Sequence, residues 1–325
     1  MKKFSFPSMT PEILRALSCP NFKKTWLSLG SDWIQIIAVA SIAHIFFHPI
    51  SYIFSIIIIA AKQHALLVLM HSASHWNFFR SRKWNDTVGN ILTAWPLFIS
   101  VNAYREHHLA HHRFTNTEKD PDWGRKIQNP NWQFPKTKSK FFLDFIPYLY
   151  GLGLLEMFFA IKILSGNPKN SYYRKEWILR GLFYIAIIAS LELSNSLAFL
   201  FKYWIIPYLL VLPIFMKIRS IVEHLALPNE HELNASRNIT NSPIESFFFG
   251  PHHNALHLVH HLYPSVSWHA IPTLQKILQE SPDYQKYAHQ NTSYFIKSNY
   301  PTFNDLVKPT TTKNKEISYD FKASA

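Results

Sequence analysis

The chain is poor in cysteine, glycine and charged residues, and each shortage excludes a class of protein. Its 325 residues include one cysteine, Cys19, and eight glycines. A single thiol excludes an internal disulfide framework and any metal or iron–sulfur cluster held by several thiolates. The sequence contains neither the glycine pattern of a dinucleotide-binding fold nor a Cys-x-x-Cys-His haem motif. Charged residues make up 16% of the chain, against about 25% in soluble domains.

Long apolar segments are present instead. No Asp, Glu, Lys or Arg occurs from Trp33 to Ala61, a run of 29 residues. A bilayer core needs about 20 helical residues, so this run is too long for one span, and Pro49 predicts a turn within it. A second apolar pair extends from Gly181 to Met216, with a turn expected near Phe201 and Lys202.

These patterns predict an all-α, polytopic membrane protein with two transmembrane helical hairpins and a cytoplasmic helical cap that carries a di-metal site. The expected spans are residues 31–48, 50–72, 181–200 and 203–220, inside a membrane domain of residues 31–300. A cytoplasmic segment, residues 1–30, precedes this domain, and a tail, residues 301–325, follows it. Residues 91–100 are too short to span, and residues 141–161 are expected to form an interfacial helix.

The formal net charge of +13 has two readings. A nucleic-acid-binding protein would gather its cations into a basic stripe, but here they flank the apolar segments, so no nucleic-acid partner is expected. Positive loops stay cytoplasmic, which predicts that both termini and the middle of the chain share that face. No signal peptide is visible at Lys2 and Lys3. A bacterial inner membrane is favoured over the endoplasmic reticulum because the chain carries no appended electron-transfer domain.

The 18 histidines are clustered at helical spacings. Side chains three or four residues apart share a helix face, so such histidines can reach common metal ions. One cluster is an i, i+4 pair, two others are copies of His-x-x-His-His, and a single histidine follows the last predicted span at matching depth. The expected ligands are His71, His75, His108, His111, His112, His224, His257, His260 and His261. His107 points away from its cluster's face, and His253 is a reserve ligand.

Nine imidazoles exceed the needs of one ion and suit a dinuclear centre with an open position. Imidazole also binds zinc, copper and nickel, so the residues alone do not choose the metal.

The histidine motifs and their flanking sequences resemble the membrane fatty acid desaturase family and its hydroxylase relatives. The similar stretches are H-L-A-H-H-R-F-T-N-T-E-K-D-P-D from His108 and N-A-L-H-L-V-H-H-L-Y-P from Asn254. The resemblance implies two iron ions, O2 as co-substrate, an acyl-chain lipid substrate and a separate electron donor of the ferredoxin or cytochrome b5 type. The expected product is an alkene in a fatty acyl chain. Ser72 departs from the pattern, since many members have an acidic residue there.

Further residues are expected to support the centre. Metal-binding imidazoles usually donate their second N–H to a carboxylate or carbonyl, so Glu106, Asp120, Asp122 and Glu223 are predicted to orient ligands. His64, two turns before His71, is expected to line the substrate cleft. Carotenoid ketolase or hydroxylase, alkane hydroxylase, and a histidine-rich membrane metal transporter are the alternative functions.

Overall fold

The computed structural model describes residues 4, 6, 9–124, 126, 129–240, 242–296 and 298–307. Lys2, Lys3 and residues 308–325 of the predicted tail lie outside this part of the chain. The described residues are mostly helical, which confirms the predicted helical class.

The chain begins with three helices, and the third of them lies at the centre of the molecule. They are α1 (Pro11–Leu17), α2 (Phe22–Ile45) and α3 (Pro49–Ser74). His48 caps α3 by accepting a hydrogen bond from the Ile50 N–H, and Pro49 begins the helix, where a missing N–H costs nothing. The second half of α3, residues 59–74, is buried throughout, because the surrounding helices pack around it.

The next helices connect α3 to the following apolar region. They are α4 (Arg82–Gly89), a π-helical turn (Asn90–Ala94), a 3-10 turn (Trp95–Leu97) and α5 (Val101–Phe114). After a loop with a 3-10 turn (Pro130–Trp132) come α6 (Lys138–Leu143), α7 (Ile146–Leu149) and α8 (Leu152–Leu164). The single interfacial helix expected over residues 141–161 is wrong in detail. The chain bends by 75° between α7 and α8, where Gly151 adopts a left-handed conformation at φ 93°.

The second long helical region contains α9 (Ser171–Leu193), α10 (Leu197–Leu200), π-helical turns at Phe201–Ile205 and Pro207–Val211, and α11 (Leu212–His224). The turn expected near Phe201 and Lys202 lies instead at residues 194–196. Ser194 donates its hydroxyl to the Ser190 carbonyl and Asn195 has φ 54°, so local polar groups end α9 there. Helical structure then continues through Lys202.

Three helical stretches of the described chain are long and apolar enough to cross a membrane: Pro11–Ile45, Pro49–Ser74 and Leu197–His224. The bent pair formed by Lys138–Leu149 and Leu152–Leu164 adds a fourth if it is one broken span. Helix α9 is outside this set, since it carries Glu176, Arg180 and Glu192. The two-hairpin arrangement therefore stays a prediction.

The C-terminal part consists of short helices and a minimal sheet. It contains β1 (Asn238–Ile239), α12 (Pro243–Phe248), α13 (His257–Leu262), α14 (Ile271–Leu278), α15 (Pro282–Tyr287), β2 (Gln290–Asn291) and α16 (Thr302–Leu306), with 3-10 turns at Glu232–Asn234, Pro251–His253 and Trp268–Ala270. Strand β1 pairs with β2 in parallel. Leu258, Leu274 and Tyr284 are fully buried here, and this packing fixes the position of α13.

Candidate metal centre

The cytoplasmic end predicted for α3 carries the first histidine pair. His71 lies in the last turn of α3, and His75 caps its C-terminus. The terminal carbonyls of a helix lack partners within it. Here Arg105 of α5 donates Nη2 to the Ala73 carbonyl at 3.2 Å and Nε to the Ser74 carbonyl at 2.8 Å. Arg105 therefore joins the end of α3 to α5.

The other histidines come from three more helices. Helix α5, capped by Ser100, carries His108, His111 and His112. Helix α11 ends at His224, and α13 carries the second His-x-x-His-His motif. The structure brings all nine predicted histidines together.

They divide into two compact groups, within each of which the ligand nitrogens lie within 4.8 Å of one another. Group A is His71, His75, His108, His112 and His260, and group B is His111, His224, His257 and His261. Each His-x-x-His-His motif contributes to both. Its i, i+4 pair stays together while the i+3 residue, His111 or His260, enters the other group.

The ring nitrogens of both groups lie within hydrogen-bonding distance of one another. In group A, His112 Nε2 lies 2.9 Å from His108 Nε2 and 3.0 Å from His260 Nε2. In group B, His257 Nε2 lies 3.0 Å from His224 Nε2 and 3.1 Å from His261 Nε2. A neutral ring carries one N–H. Because His224 Nδ1 faces the Ala235 carbonyl at 3.2 Å, His224 presents the lone pair of Nε2 to His257, which is the form in which imidazole binds a metal ion.

Burial disfavours the charged form of several of these rings. Desolvation, followed by repulsion from neighbouring histidines, lowers the pKa values of His108, His257, His260 and His261 well below the ordinary 6.5. The same causes lower the pKa of His112 to about 2. In addition, Nε2 of His71 and Nε2 of His75 are buried without a hydrogen-bond partner among the described residues. Neutral, buried nitrogen donors without partners are the form in which imidazole binds a metal ion, so the residues fit a dinuclear centre.

Two of the four predicted carboxylates bear directly on group B. Both oxygens of Asp120 lie 3.0 Å from His111 Nδ1, and Asp120 also accepts the N–H groups of Asn116 and Asp122. His111 therefore presents Nε2 to the group. Glu223 Oε2 lies 3.5 Å from His257 Nε2.

The other two carboxylates are placed differently. Asp122 binds His107 Nε2 at 2.9 Å and lies 3.8 Å from His111 Nδ1, so it contacts a histidine outside both groups more closely than it contacts His111. Glu106 is exposed on α5.

His64 and His253 lie outside the two groups. His64 is fully buried, stacks on Phe215 and places Nδ1 3.3 Å from the Phe248 carbonyl. It is absent from the residues that line the cavity beside the histidines. His253 stacks on Trp268.

A cavity of about 640 Å³ adjoins the centre. One part of its wall is histidine, with His108, His111, His224 and His257. A second part is apolar and comes from α3, α8 and the turn before α5, with Leu67, Met70, Leu97, Ile99, Met157, Ile161 and Leu164. A third part is charged and includes Lys126, Glu156, Lys217 and the Arg219–Glu223 ion pair. A mostly apolar space thus adjoins the nitrogens of the two histidine groups.

Sequence reasoning missed two contacts that position the ligands. Arg105 makes an ion pair with Asp86 in addition to its bonds to α3. Asn254 donates Nδ2 to Glu223 Oε1 at 2.7 Å, and Arg219 donates Nε to the same oxygen at 2.8 Å. Arg219 and Glu223 share a helix face at i, i+4, and this spacing is the sequence feature that could have predicted their ion pair.

Comparison with known proteins agrees with this geometry. The family model described as fatty acid desaturase matches residues 47–293. The chain is 26% identical to the dihydrorhizobitoxine desaturase of Bradyrhizobium elkanii over 76% of this chain and 73% of that protein. It is 22% identical to the Delta(8)-fatty-acid desaturase of Euglena gracilis over 62% and 54% of the two chains. It is 25% identical to the beta-carotene ketolase of Paracoccus sp. (strain N81106 / MBIC 01143) over 76% and 86%.

The matched region contains all nine histidines of groups A and B. The resemblance seen in the histidine motifs is confirmed, and the chain belongs to the fatty acid desaturase family.

Proposed function

We propose that this protein is a multi-pass membrane desaturase that introduces a double bond into a fatty acyl chain, using O2 and electrons from a separate donor protein. The observation that carries the proposal is the convergence of nine imidazoles, in groups of five and four, beside a mostly apolar cavity.

Group A would hold one iron ion and group B the second. Bound there, the iron pair supplies O2 activation and the oxidation of an unactivated carbon–hydrogen bond. In the overall reaction a saturated chain, O2, two electrons and two protons give an alkene and two water molecules. The all-nitrogen donor set does not select iron by itself, and membership of the family supports that choice.

The protein's part is to hold the ligands and the chain. Asp120 fixes the ring of His111 through Nδ1, and Arg105 fixes the end of α3 relative to α5. The apolar wall excludes water and holds the methylene groups beside the histidines. Phe159 and Ile163 line the cavity and are also exposed on α8, which is consistent with entry of the chain from the bilayer.

The electron donor is proposed to dock on the cytoplasmic face. An acidic partner such as a ferredoxin or a cytochrome b5 would be attracted there by exposed cations near the starts of α4 and α9, which are Arg80, Arg82, Lys83, Arg174 and Lys175.

A carotenoid ketolase is the second candidate, and the specific observation in its favour is the similarity to the Paracoccus enzyme over 86% of that enzyme's length. The same centre would serve, since the outcome depends on which carbon lies next to the metals.

Expression in a host that lacks unsaturated acyl chains tests the proposal. The wild-type protein should produce unsaturated fatty acids, His111→Ala should produce none, and His253→Ala, which changes a histidine outside both groups, should retain activity. Mass spectrometry of lipids and of pigments in a carotene-producing host separates the two candidates. Identical lipid profiles for wild type and His111→Ala, with pigments altered only by the wild type, would replace desaturation by the ketolase function.

A further inference from the structure

A buried lysine without a counter-ion lies in the wall of the cavity. Lys62, Lys136 and Lys217 are the buried lysines of the described chain. Lys62 pairs with Asp32 at 3.3 Å, and Lys136 pairs with Asp144. Lys217 is only 3% exposed, yet it makes no ion pair or hydrogen bond with the described residues.

Aromatic rings are the neighbours that Lys217 does have. Its Nζ lies 4.1 Å from the centroid of Trp132 and 5.6 Å from that of Tyr148. Cation–π contacts contribute about 0.5–2 kcal/mol, whereas the effective cost of burying an unpaired ion is several kcal/mol. The rings therefore offset only part of the free-energy cost of burying the ammonium group. An anionic group of a ligand in the cavity would offset the rest.

The surrounding charges leave this ammonium available. Glu156 accepts a hydrogen bond from the Tyr148 hydroxyl at 2.5 Å and forms no ion pair with Lys217 within 4.0 Å. Arg219 is paired with Glu223 at 2.8 Å. Lys126 donates to the Ser220 hydroxyl at 2.6 Å and lies 5.1 Å from the Trp132 centroid, which adds a second positive charge beside the same ring.

We propose that Lys217 binds the anionic head of the substrate, and that this head is the free carboxylate of a single acyl chain. The inference rests on the proposed function, because it names the substrate of the same cavity. A volume of about 640 Å³ is typical of a pocket for one small ligand, and it favours a compact carboxylate over a bulky carrier.

The position of Lys217 also predicts where the double bond forms. Lys217 and His224 are seven residues apart on α11, so they lie on one face about 10 Å apart along the axis. A carboxylate held at Lys217 fixes the distance from the charged end to the metals. The double bond should therefore form at a constant number of carbons from the carboxylate, whatever the chain length.

The test measures binding of a saturated long-chain carboxylate, its methyl ester and a single-chain alkyl phosphate to the purified full-length protein by calorimetry. The wild type should bind the carboxylate about tenfold or more tightly than the ester, as expected for loss of one charge-assisted interaction. Lys217→Met should abolish that preference. Lys217→Arg should keep it, and so should Lys162→Met, which removes an exposed lysine of α8 outside the cavity.

Equal affinity of the wild type for acid and ester overturns the proposal, and this comparison does not require any variant to fold. Tighter binding of the phosphate, lost in Lys217→Met, overturns the carboxylate assignment and points to a phospholipid head. An unchanged preference in Lys217→Met rules out Lys217 as the binding residue.

A second experiment, separate from the binding measurement, determines the position of the double bond in the products formed from saturated chains of two lengths. Double bonds at a constant distance from the methyl end would overturn the proposal while leaving desaturation intact. Absence of any double bond in the products refutes the proposed function. In that case the calorimetric binding measurement still tests whether Lys217 binds the carboxylate.

Discussion

Asp120 is the residue whose contacts most directly control a metal ligand. It is 2% exposed and binds His111 Nδ1 through both oxygens. Replacing Asp120 with Asn leaves one oxygen and removes the charge that orients the ring. Loss of such a partner typically lowers metal affinity about 10- to 100-fold. Titration of the metal-free protein with Fe(II) should show this decrease for Asp120→Asn.

Two neighbouring carboxylates provide comparisons in the same loop. Glu118 is exposed, and Glu118→Gln should bind iron as the wild type does. Asp122→Asn should have a smaller effect than Asp120→Asn, because Asp122 lies 3.8 Å from His111 Nδ1 whereas both oxygens of Asp120 lie 3.0 Å from it. If Asp120→Asn binds iron with the affinity of the wild type, Asp120 does not contribute to metal binding through His111.

Arg105 acts at the scale of elements, because one side chain holds two helices in register. It bonds the carbonyls of Ala73 and Ser74 and pairs with Asp86. Arg105→Met should destabilise the protein by about 2–4 kcal/mol, since it removes the hydrogen bond to the buried Ser74 carbonyl and leaves the Asp86 carboxylate without its cation. The expected result is a lower thermal unfolding midpoint. Arg113, an exposed arginine of the same helix, supplies the control, and Arg113→Met should unfold like the wild type. Equal unfolding midpoints for Arg105→Met and Arg113→Met would contradict the stabilising role of Arg105.

The crossing of α8 and α11 depends on a glycine. A Cβ atom at Gly153 would lie 2.8 Å from Pro213 Cβ, closer than non-bonded carbon atoms approach. Gly153→Val should therefore push the helices apart and destabilise the protein by about 1–3 kcal/mol. Because both helices line the cavity, binding of an acyl chain should weaken as well.

Gly181 of α9 provides the matched control for Gly153, since nothing lies within 4 Å of a Cβ placed there. Gly181→Ala should leave unfolding and ligand binding as they are in the wild type. Unimpaired stability in Gly153→Val would mean that the two helices separate at no cost.

The elements show which features a sequence can predict. The i, i+4 and i, i+3 spacings are local, so the sequence identified every histidine of the two groups. It did not separate His111 from His108 and His112, because that division depends on where α11 and α13 pack. The predicted turn after α9 lies six residues too late in the chain. The prediction follows the charge of Lys202, whereas the turn-forming residues Ser194, Asn195 and Ser196 end the helix. Arg105 and Lys217 were missed because their partners are distant in the chain.

At the scale of the whole molecule, the buried histidines predict how stability depends on pH. The pKa values of His108, His257, His260 and His261 lie well below 6.5 in the folded state, whereas in the unfolded chain histidine has its ordinary value of about 6.5. Below that pH the unfolded state binds more protons, so stability decreases as pH falls. The metal-free protein should unfold at lower temperature at about pH 5 than at about pH 7. Bound metal should reduce this dependence near neutral pH, and a midpoint that is constant with pH would contradict the prediction.

The path of the chain through the membrane depends on whether α9 crosses it. Glu176, near the start of α9, bonds Asn102 of α5 at 3.2 Å, and α5 is joined through Arg105 to the histidine-bearing end of α3. At the other end, the Tyr52 hydroxyl near the start of α3 donates to the Lys202 carbonyl at 3.0 Å. Between these contacts the chain follows the length of α3. Its contacts therefore favour α9 as a span despite its charged residues.

Cysteine labelling tests this path, because Cys19 is the chain's one native cysteine. In a Cys19→Ser background, Lys169→Cys precedes α9 and Phe47→Cys lies in the turn between α2 and α3; both positions are exposed. If α9 crosses, a membrane-impermeant maleimide should label residue 169 from the cytoplasmic face and residue 47 from the opposite face. Cys19 of the unmodified chain should also react from the cytoplasmic face. If the bent pair α7–α8 crosses instead, residues 169 and 47 should react from the same side, since one crossing has moved from after residue 169 to before it. That result would leave α9 outside the set of spans and would require α5 and the start of α9 to lie on opposite faces, contrary to the bond between Glu176 and Asn102.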